Sequence, residues 1–300
     1  MLKIAFDPLY VHPLPVGHRF PMLKYELIPE QLIYEGTALP NDFFKPQTID
    51  ENFITLAHRR TYWEKLKNLS LSPREVRRTG FSLNEQLVLR ELSIAQGTIE
   101  CCEYALQNGV AFNVAGGTHH AGSDWGEGFC LLNDQAIGAH YLLKQKDINK
   151  ILIIDLDVHQ GNGTAEIFKN DRRVFTFSVH CQRNFPFRKE QSDLDIGLSD
   201  GVEDEEYLAI LESNLIQLFN YVKPHFVFYL AGVDVLATDK LGWLNLTKQG
   251  CKTRDEIVFD FCRRFGVPVQ VSMGGGYSLL IRDIVDAHCN TFKAAIDRLF

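Results

Sequence analysis

The chain reads as a series of short, almost wholly apolar runs, each followed by a longer stretch in which apolar and polar positions recur with helical spacing. Ile151-Leu-Ile-Ile154 and Phe226-Val-Phe-Tyr-Leu230 lack the alternation of a half-exposed strand. They predict strands buried on both faces, the habit of a parallel sheet covered by helices. Strands are predicted at residues 3–6, 110–115, 151–157, 173–179, 226–231 and 268–273, and helices at 84–107, 134–144, 204–221, 248–265 and 281–299. Ser82-Leu-Asn-Glu85 has capping-box spacing at the start of the first of these helices, and Thr247 suits an N-cap before residue 248. Residues 7 to 80 have no clean period and are rich in Pro, aromatic and charged side chains. They predict an irregular helical layer on one sheet edge or a small separate unit. No low-complexity linker divides them from the rest, which favours a single α/β domain over residues 1–300, with three layers (αβα) about a mostly parallel central sheet.

Composition narrows the class of function. The 300 residues are 45% hydrophobic and 23% charged, an ordinary globular balance with enough chain for a large core. With 31 Lys and Arg against 38 Asp and Glu, the net charge is −7, which argues against the basic footprint of a protein that grips nucleic acid directly. No apolar run approaches the roughly 20 residues of a membrane span. The apolar N-terminus is broken by Asp7 and Pro8 before a signal-peptide core develops, so a soluble, cytoplasmic protein is expected. The seven cysteines show no CxxC spacing and read as small buried hydrophobes rather than disulfides or a zinc knuckle.

Chemistry gathers just past the carboxyl ends of the predicted strands, where open α/β sheets bind ligands. Asp155-Leu-Asp157-Val-His159-Gln-Gly-Asn-Gly163 follows a buried strand; its two carboxylates and imidazole are a usual ligand set for a divalent metal. Taken singly, such residues are more often helix caps or packed core groups, but three together after one buried strand favour the metal. His119-His120 can act as general base and electrostatic partner, although adjacent histidines also arise by chance. Asp234 stands just past another buried strand and is a candidate third ligand. Ser272-Met-Gly-Gly-Gly-Tyr277 lets backbone approach a ligand and offers a hydroxyl to an oxyanion; it does not fit a phosphate loop. Trp125-Gly-Glu-Gly-Phe-Cys-Leu-Leu-Asn133 suits either an apolar channel wall or a packed loop, and Ser178-Val-His180 reads as satisfied core.

Together, His119-His120, Gly128-Phe-Cys130, Asp155 to Gly163, Ala-Gly-Val-Asp234 and Gly-Gly-Gly-Tyr277 stand in the order and spacing of the zinc-dependent histone deacetylase superfamily. That group includes bacterial acetylpolyamine amidohydrolases and acetoin-utilisation proteins and has the arginase/deacetylase fold. Gly17-His-Arg-Phe-Pro21, Arg77-Arg-Thr-Gly-Phe81, Gln160 and Asn162 most resemble its class IV branch and bacterial relatives. The resemblance implies one catalytic Zn2+ held by Asp157, His159 and Asp234. It makes His120 the general base and acid, His119 its partner hydrogen-bonded to Asp155, and Tyr277 the donor to the carbonyl oxygen. It also implies a structural K+ at Asp155, Asp157, His159, Ser178 and Val179, and an acyl-lysine tunnel walled by Gly128, Phe129, Gly275 and either Phe185 or Phe187. Asn162 stands where some branches have aspartate behind the second histidine, so His120 is expected to be less basic than in those relatives.

The expected activity is hydrolysis of an acyl-amine, most readily an N-ε-acyl-lysine peptide; an acylated polyamine substrate is the alternative. An arginase-like binuclear hydrolase would need further ligands while both histidines already have roles, and a non-catalytic scaffold would not need the intact site. Acyl length and oligomeric state are set by loop shapes rather than by these motifs. The excess negative charge fits a pocket that receives a cationic amine or a basic peptide.

Overall fold

The computed structural model describes residues 2–300. Eight strands form one sheet: β1 (Ile4–Ala5), β2 (Phe43–Phe44), β3 (Val110–Asn113), β4 (Ile151–Asp155), β5 (Val174–Cys181), β6 (Leu194–Leu198), β7 (Phe226–Leu230) and β8 (Val269–Ser272). Their order is β2-β1-β3-β8-β7-β4-β5-β6 and every pairing is parallel. The long helices are α5 (Glu85–Asn108), α6 (Asp134–Gln145), α8 (Asp204–Val222), α9 (Lys248–Phe265) and α10 (Ile281–Leu299), with the short α7 (Asn162–Phe168) following β4.

Side-chain alternation on the central strands sets the layers. On β3, Phe112 stacks on Phe292 of α10 at 4.2 Å, while the next residue, Asn113, donates to Ile94 O and Thr98 Oγ1 of α5. On β7, Tyr229 meets Phe259 of α9. The sheet is therefore sandwiched, and β4 and β7 are buried along their whole lengths, as their unbroken apolar runs predict.

Residues 7 to 80 are neither irregular throughout nor separate. They form α1 (Lys24–Tyr34), α2 (Glu51–Ala57), α3 (Arg60–Lys67) and α4 (Pro73–Thr79), and β1 and β2 extend the sheet at its edge. The short β2 and β6 lie on the two edges, where partial exposure removes the apolar signal. The cap of α5 is Asn84, whose Oδ1 accepts from Leu87 N–H, rather than Ser82. The capping box lies ten residues earlier in the chain: Ser72 and Glu75 cap each other across the start of α4, and Gly80 closes that helix in the left-handed region at φ 80°. Thr247 caps α9 as expected, accepting from Gly250 N–H at 2.9 Å.

Register aligns the strand ends. Asn113, Ser272, Leu230, Asp155 and Ser178 form one row across β3, β8, β7, β4 and β5. The residues singled out for chemistry lie within a few positions beyond this row, so five separate loops converge on one place.

Candidate active site

Three ligand atoms, one each from Asp157, His159 and Asp234, lie within 4.8 Å of one another, and all three residues are buried. His159 Nδ1 is 2.9 Å from Asp157 Oδ1 and 3.2 Å from Asp234 Oδ2. The outer oxygens are held by backbone: Gly275 N–H donates to Asp157 Oδ2 at 2.8 Å and Val158 N–H to Asp234 Oδ1 at 3.0 Å. Burial, then the neighbouring Asp157, pushes the Asp234 carboxyl upward. Two buried carboxylates this close keep their charges when a cation lies between them, so the donor set fits a divalent metal. Beneath the ligands, fully buried Arg254 donates to Leu156 O and Gly232 O, clamping the ends of β4 and β7 together, with Asp255 as its counter-ion.

The histidine pair lies beside this triad. His119 Nδ1 donates to Asp155 Oδ2 at 2.7 Å, and the two histidine rings are 4.1 Å apart. Burial by itself lowers the His119 pKa, but the Asp155 and Asp157 carboxylates outweigh it and hold it above the ordinary value. His120 shifts the other way: burial, then His119 and His159, hold it well below. Its Nδ1 lies 2.7 Å from Asn162 Oδ1, and Asn162 Nδ2 donates to Glu127 Oε1 at 2.5 Å. The Glu127 carboxylate can only accept, so the amide orientation is fixed and its oxygen faces the ring. His120 therefore carries its proton on Nδ1 and presents a free Nε2. Glu127 Oε2 in turn accepts from Arg78 Nε at 2.6 Å. The charge that Asn162 lacks thus stands one residue further out.

Tyr277 stands across from the pair, its ring centroid 6.4 Å from that of His159. Its backbone N–H donates to Asp239 Oδ2 at 2.5 Å, and Asp239 Oδ1 accepts from the N–H groups of Leu241 and Gly242. Burial, then Asp234 and Asp157, push its hydroxyl well above pKa 10, so it remains a donor. The glycine run is fixed from behind by Lys24, a wholly buried lysine on α1 that donates to Gly274 O at 2.7 Å. Burial pushes Lys24 down to about 8 against the pull of Asp234, Asp157 and Asp239.

A cleft of about 470 Å³ leads from the surface to His120, His159 and Tyr277, and continues into an inner cavity of about 30 Å³. Gly128 and Phe129 wall one side, with Phe185 packed on His120 at 4.9 Å. Phe187 lies further out and is exposed. Gly128 has φ 56°, and a Cβ there would strike His120, so no other residue fits. Gly275 lines the inner cavity rather than the outer cleft. Ser178 and Val179 are buried on β5, Ser178 in register with Asp155 and bonded to His180 Nδ1 at 3.0 Å.

The mouth has an unexpected charge. Arg19, Arg77, Arg78 and Arg183 line it, and Glu127, already engaged, is its one carboxylate. An acidic entrance for a cationic amine is not what the fold builds. Sequence reading also passed over Glu127, Asp239, Lys24 and Arg254. A charged residue inside the Trp125-to-Asn133 glycine turn was a signal for Glu127, and the adjacent opposite charges Arg254-Asp255 on an otherwise buried helix face were a signal for Arg254. Lys24 and Asp239 gave none.

The histone deacetylase domain family matches residues 18–292 of this sequence. The chain belongs to the histone deacetylase family. It is similar to an uncharacterized protein of Picosynechococcus sp., 43% identical over 98% of each chain. It is also similar to histone deacetylase 2 of Arabidopsis thaliana, 30% identical over 87% of this chain and 70% of that one. Among solved structures, a histone deacetylase homologue from Aquifex aeolicus superposes with a TM-score of 0.84 at 25% identity, covering 98% of this chain and 84% of the other. Histone deacetylase family proteins are zinc-dependent hydrolases, and the Asp157–His159–Asp234 cluster suits that metal. No helix among the described residues is long and apolar enough to cross a membrane.

Proposed function

We propose that this histone deacetylase family hydrolase is a zinc-dependent amidohydrolase that releases an acyl group from the N-ε-amine of lysine. The observation that carries the reading is the convergence of a three-ligand metal cluster, a histidine with a free Nε2 and a tyrosine hydroxyl at the end of one cleft. Zinc held by Asp157, His159 and Asp234 would supply Lewis acidity toward the amide carbonyl and toward water.

The protein's own groups supply the rest. His120 Nε2 takes a proton from the attacking water and later returns it to the departing amine, while Asn162 and Glu127 hold the ring in the required tautomer. His119, its ring 4.1 Å from that of His120, is the electrostatic partner of the general base, and Asp155 keeps it oriented. Tyr277 donates to the carbonyl oxygen as negative charge develops there. Gly128, Phe129 and Phe185 exclude water around an extended alkyl chain. Ser178, with the carbonyls of Asp155, Asp157, His159 and Val179 and the Asp157 carboxylate, would hold a structural K+. Seven free, buried thiols suit a reducing compartment such as the cytoplasm.

The test is a rate panel of acetyl-, trifluoroacetyl- and longer fatty-acyl-lysine peptides beside acetylated polyamines, with zinc-loaded and chelated protein. Zinc-dependent turnover of acyl-lysine peptides is expected. No turnover of any acyl-amine by the loaded protein would refute the reading.

A further inference from the structure

We propose that the acyl-lysine this site accepts lies in an acidic stretch of polypeptide, with carboxylates flanking the scissile side chain and docking on Arg19 and Arg77. The inference rests on the deacylase reading and deepens it. The overall charge of −7 points the other way, toward repulsion of acidic partners, so the local arrangement decides.

Four arginines line the mouth, and two of them are already neutralised. Arg78 is committed to Glu127, and Arg183 pairs with Asp200 at 2.6 Å while lying over the Trp243 ring. Arg19 and Arg77 are exposed, and among the described residues neither has a carboxylate within 4.0 Å. Glu127, the one carboxylate in the lining, is buried with both oxygens engaged. The mouth therefore keeps two uncompensated positive charges directly at the tunnel.

Their placement is built into the fold. The Arg19 guanidinium lies 5.7 Å from the centre of the Phe129 ring, the tunnel wall itself. Its neighbour His18 donates from Nε2 to Gly80 O at 2.9 Å and accepts from Phe20 N–H at Nδ1, which fastens the Arg19 segment to the end of α4. That helix carries Arg77, and the next residues pin the tunnel in turn: Arg78 O accepts from Gly128 N–H and Thr79 O from Phe129 N–H. The wall and the backbone that carries both arginines are thus tied together. A guanidinium is a planar fork matched to carboxylate, and stacking on an aromatic ring reduces the freedom it loses on pairing. An extended peptide whose lysine enters the tunnel must pass its neighbouring residues over this rim. Acetylated polyamines, cationic along their length, meet two like charges there.

The test uses the zinc-loaded full chain and acetyl-lysine peptides identical except for flanking Glu, Gln or Lys, with acetylspermidine alongside. An exposed pair contributes up to about fivefold, so two contacts should favour the Glu peptide over the Gln peptide by about tenfold in kcat/KM. The preference should fall in about 0.5 M salt. R19Q together with R77Q should abolish it, and R19E together with R77E should invert it, with unchanged thermal midpoints showing that the fold survives. Fluorescence-anisotropy binding to Y277F protein separates the two readings. If nothing is turned over but Glu peptides still bind more tightly, the deacylase reading fails and the acidic-ligand mouth stands. Equal binding of Glu and Lys peptides, a preference that survives the R19Q and R77Q pair, or a single-stranded RNA that displaces the Glu peptide at equal concentration would overturn the proposal.

Discussion

Replacing His58 with Gln removes a titrating group from the junction between α2 and the loop that follows the histidine pair, yet keeps a donor and an acceptor in place. In the native chain Nδ1–H donates to Gly122 O at 2.9 Å and Nε2 accepts from Asn133 N–H at 2.9 Å. Both nitrogens are satisfied by the neutral ring, and a second proton would turn the Asn133 contact into donor against donor. Burial is the main cause that pushes His58 from 6.5 down to about 4, opposed in part by its bond to Gly122. The folded state thus resists protonation where the unfolded chain does not. Its contribution to stability is complete above about pH 6.5 and is lost as pH falls toward 4. The gap between the two values is worth roughly 3 kcal/mol when fully expressed, and about 2 kcal/mol of it disappears between about pH 7 and pH 5. Urea unfolding at those two pH values, run on the native chain and on H58Q, measures this as a difference of differences. Other buried groups, the metal ligands included, are common to both proteins and cancel. The native chain should lose about 2 kcal/mol more than the variant. Parallel losses, within about 0.5 kcal/mol, would refute the argument that burial and two hydrogen bonds keep His58 neutral.

Other outcomes follow from the site. Tyr277→Phe should lower kcat by about two to three orders of magnitude, as loss of an oxyanion donor does, while elemental analysis still finds one zinc per chain. Asp234→Asn should instead lose the metal on dialysis; retention of stoichiometric zinc would exclude Asp234 as a ligand. Glu127→Gln leaves a neutral partner for Asn162 that can present its NH2 rather than its oxygen, freeing the Asn162 amide to turn. A fall of about tenfold in kcat with KM little changed is expected, and an unchanged kcat would show that Glu127 does not position His120. Arg254→Met strands the Asp255 charge in the core and should destabilise the protein by about 3–5 kcal/mol, read by urea unfolding.

The parts of this fold that were legible in the sequence are those whose signal is local. Lys248–Phe265 and Ile281–Leu299 have the boundaries their apolar period predicts, and Ile151–Asp155 and Phe226–Leu230 are buried strands, as their unbroken apolar runs predict. The edge strands Phe43–Phe44 and Leu194–Leu198 carry no such pattern, since each is held by one neighbour and partly exposed. Glycine and histidine motifs marked the loops that meet at the site. The groups that position them did not show, because their partners are remote in sequence: Lys24 reaches Gly274 across 250 residues, and Asp239 takes the Tyr277 amide across 38. The sign of the mouth was not legible for a related reason. A net charge sums the whole surface, whereas the rim is set by which four side chains two loops and one helix bring together.

Arg254 has a consequence for how the metal comes and goes. Its guanidinium ties the carbonyls of Leu156 and Gly232 directly below the loops that carry Asp157, His159 and Asp234. The ligand cage is therefore shaped by a cation that the chain carries itself, at a depth no solvent reaches. An incoming ion has almost nothing left to organise, and a departing one leaves no slack behind. A metal held by this cluster would in this sense be a replaceable guest: exchange between metals of similar size should proceed without the chain unfolding, with the arginine acting as a permanent keystone beneath a removable one.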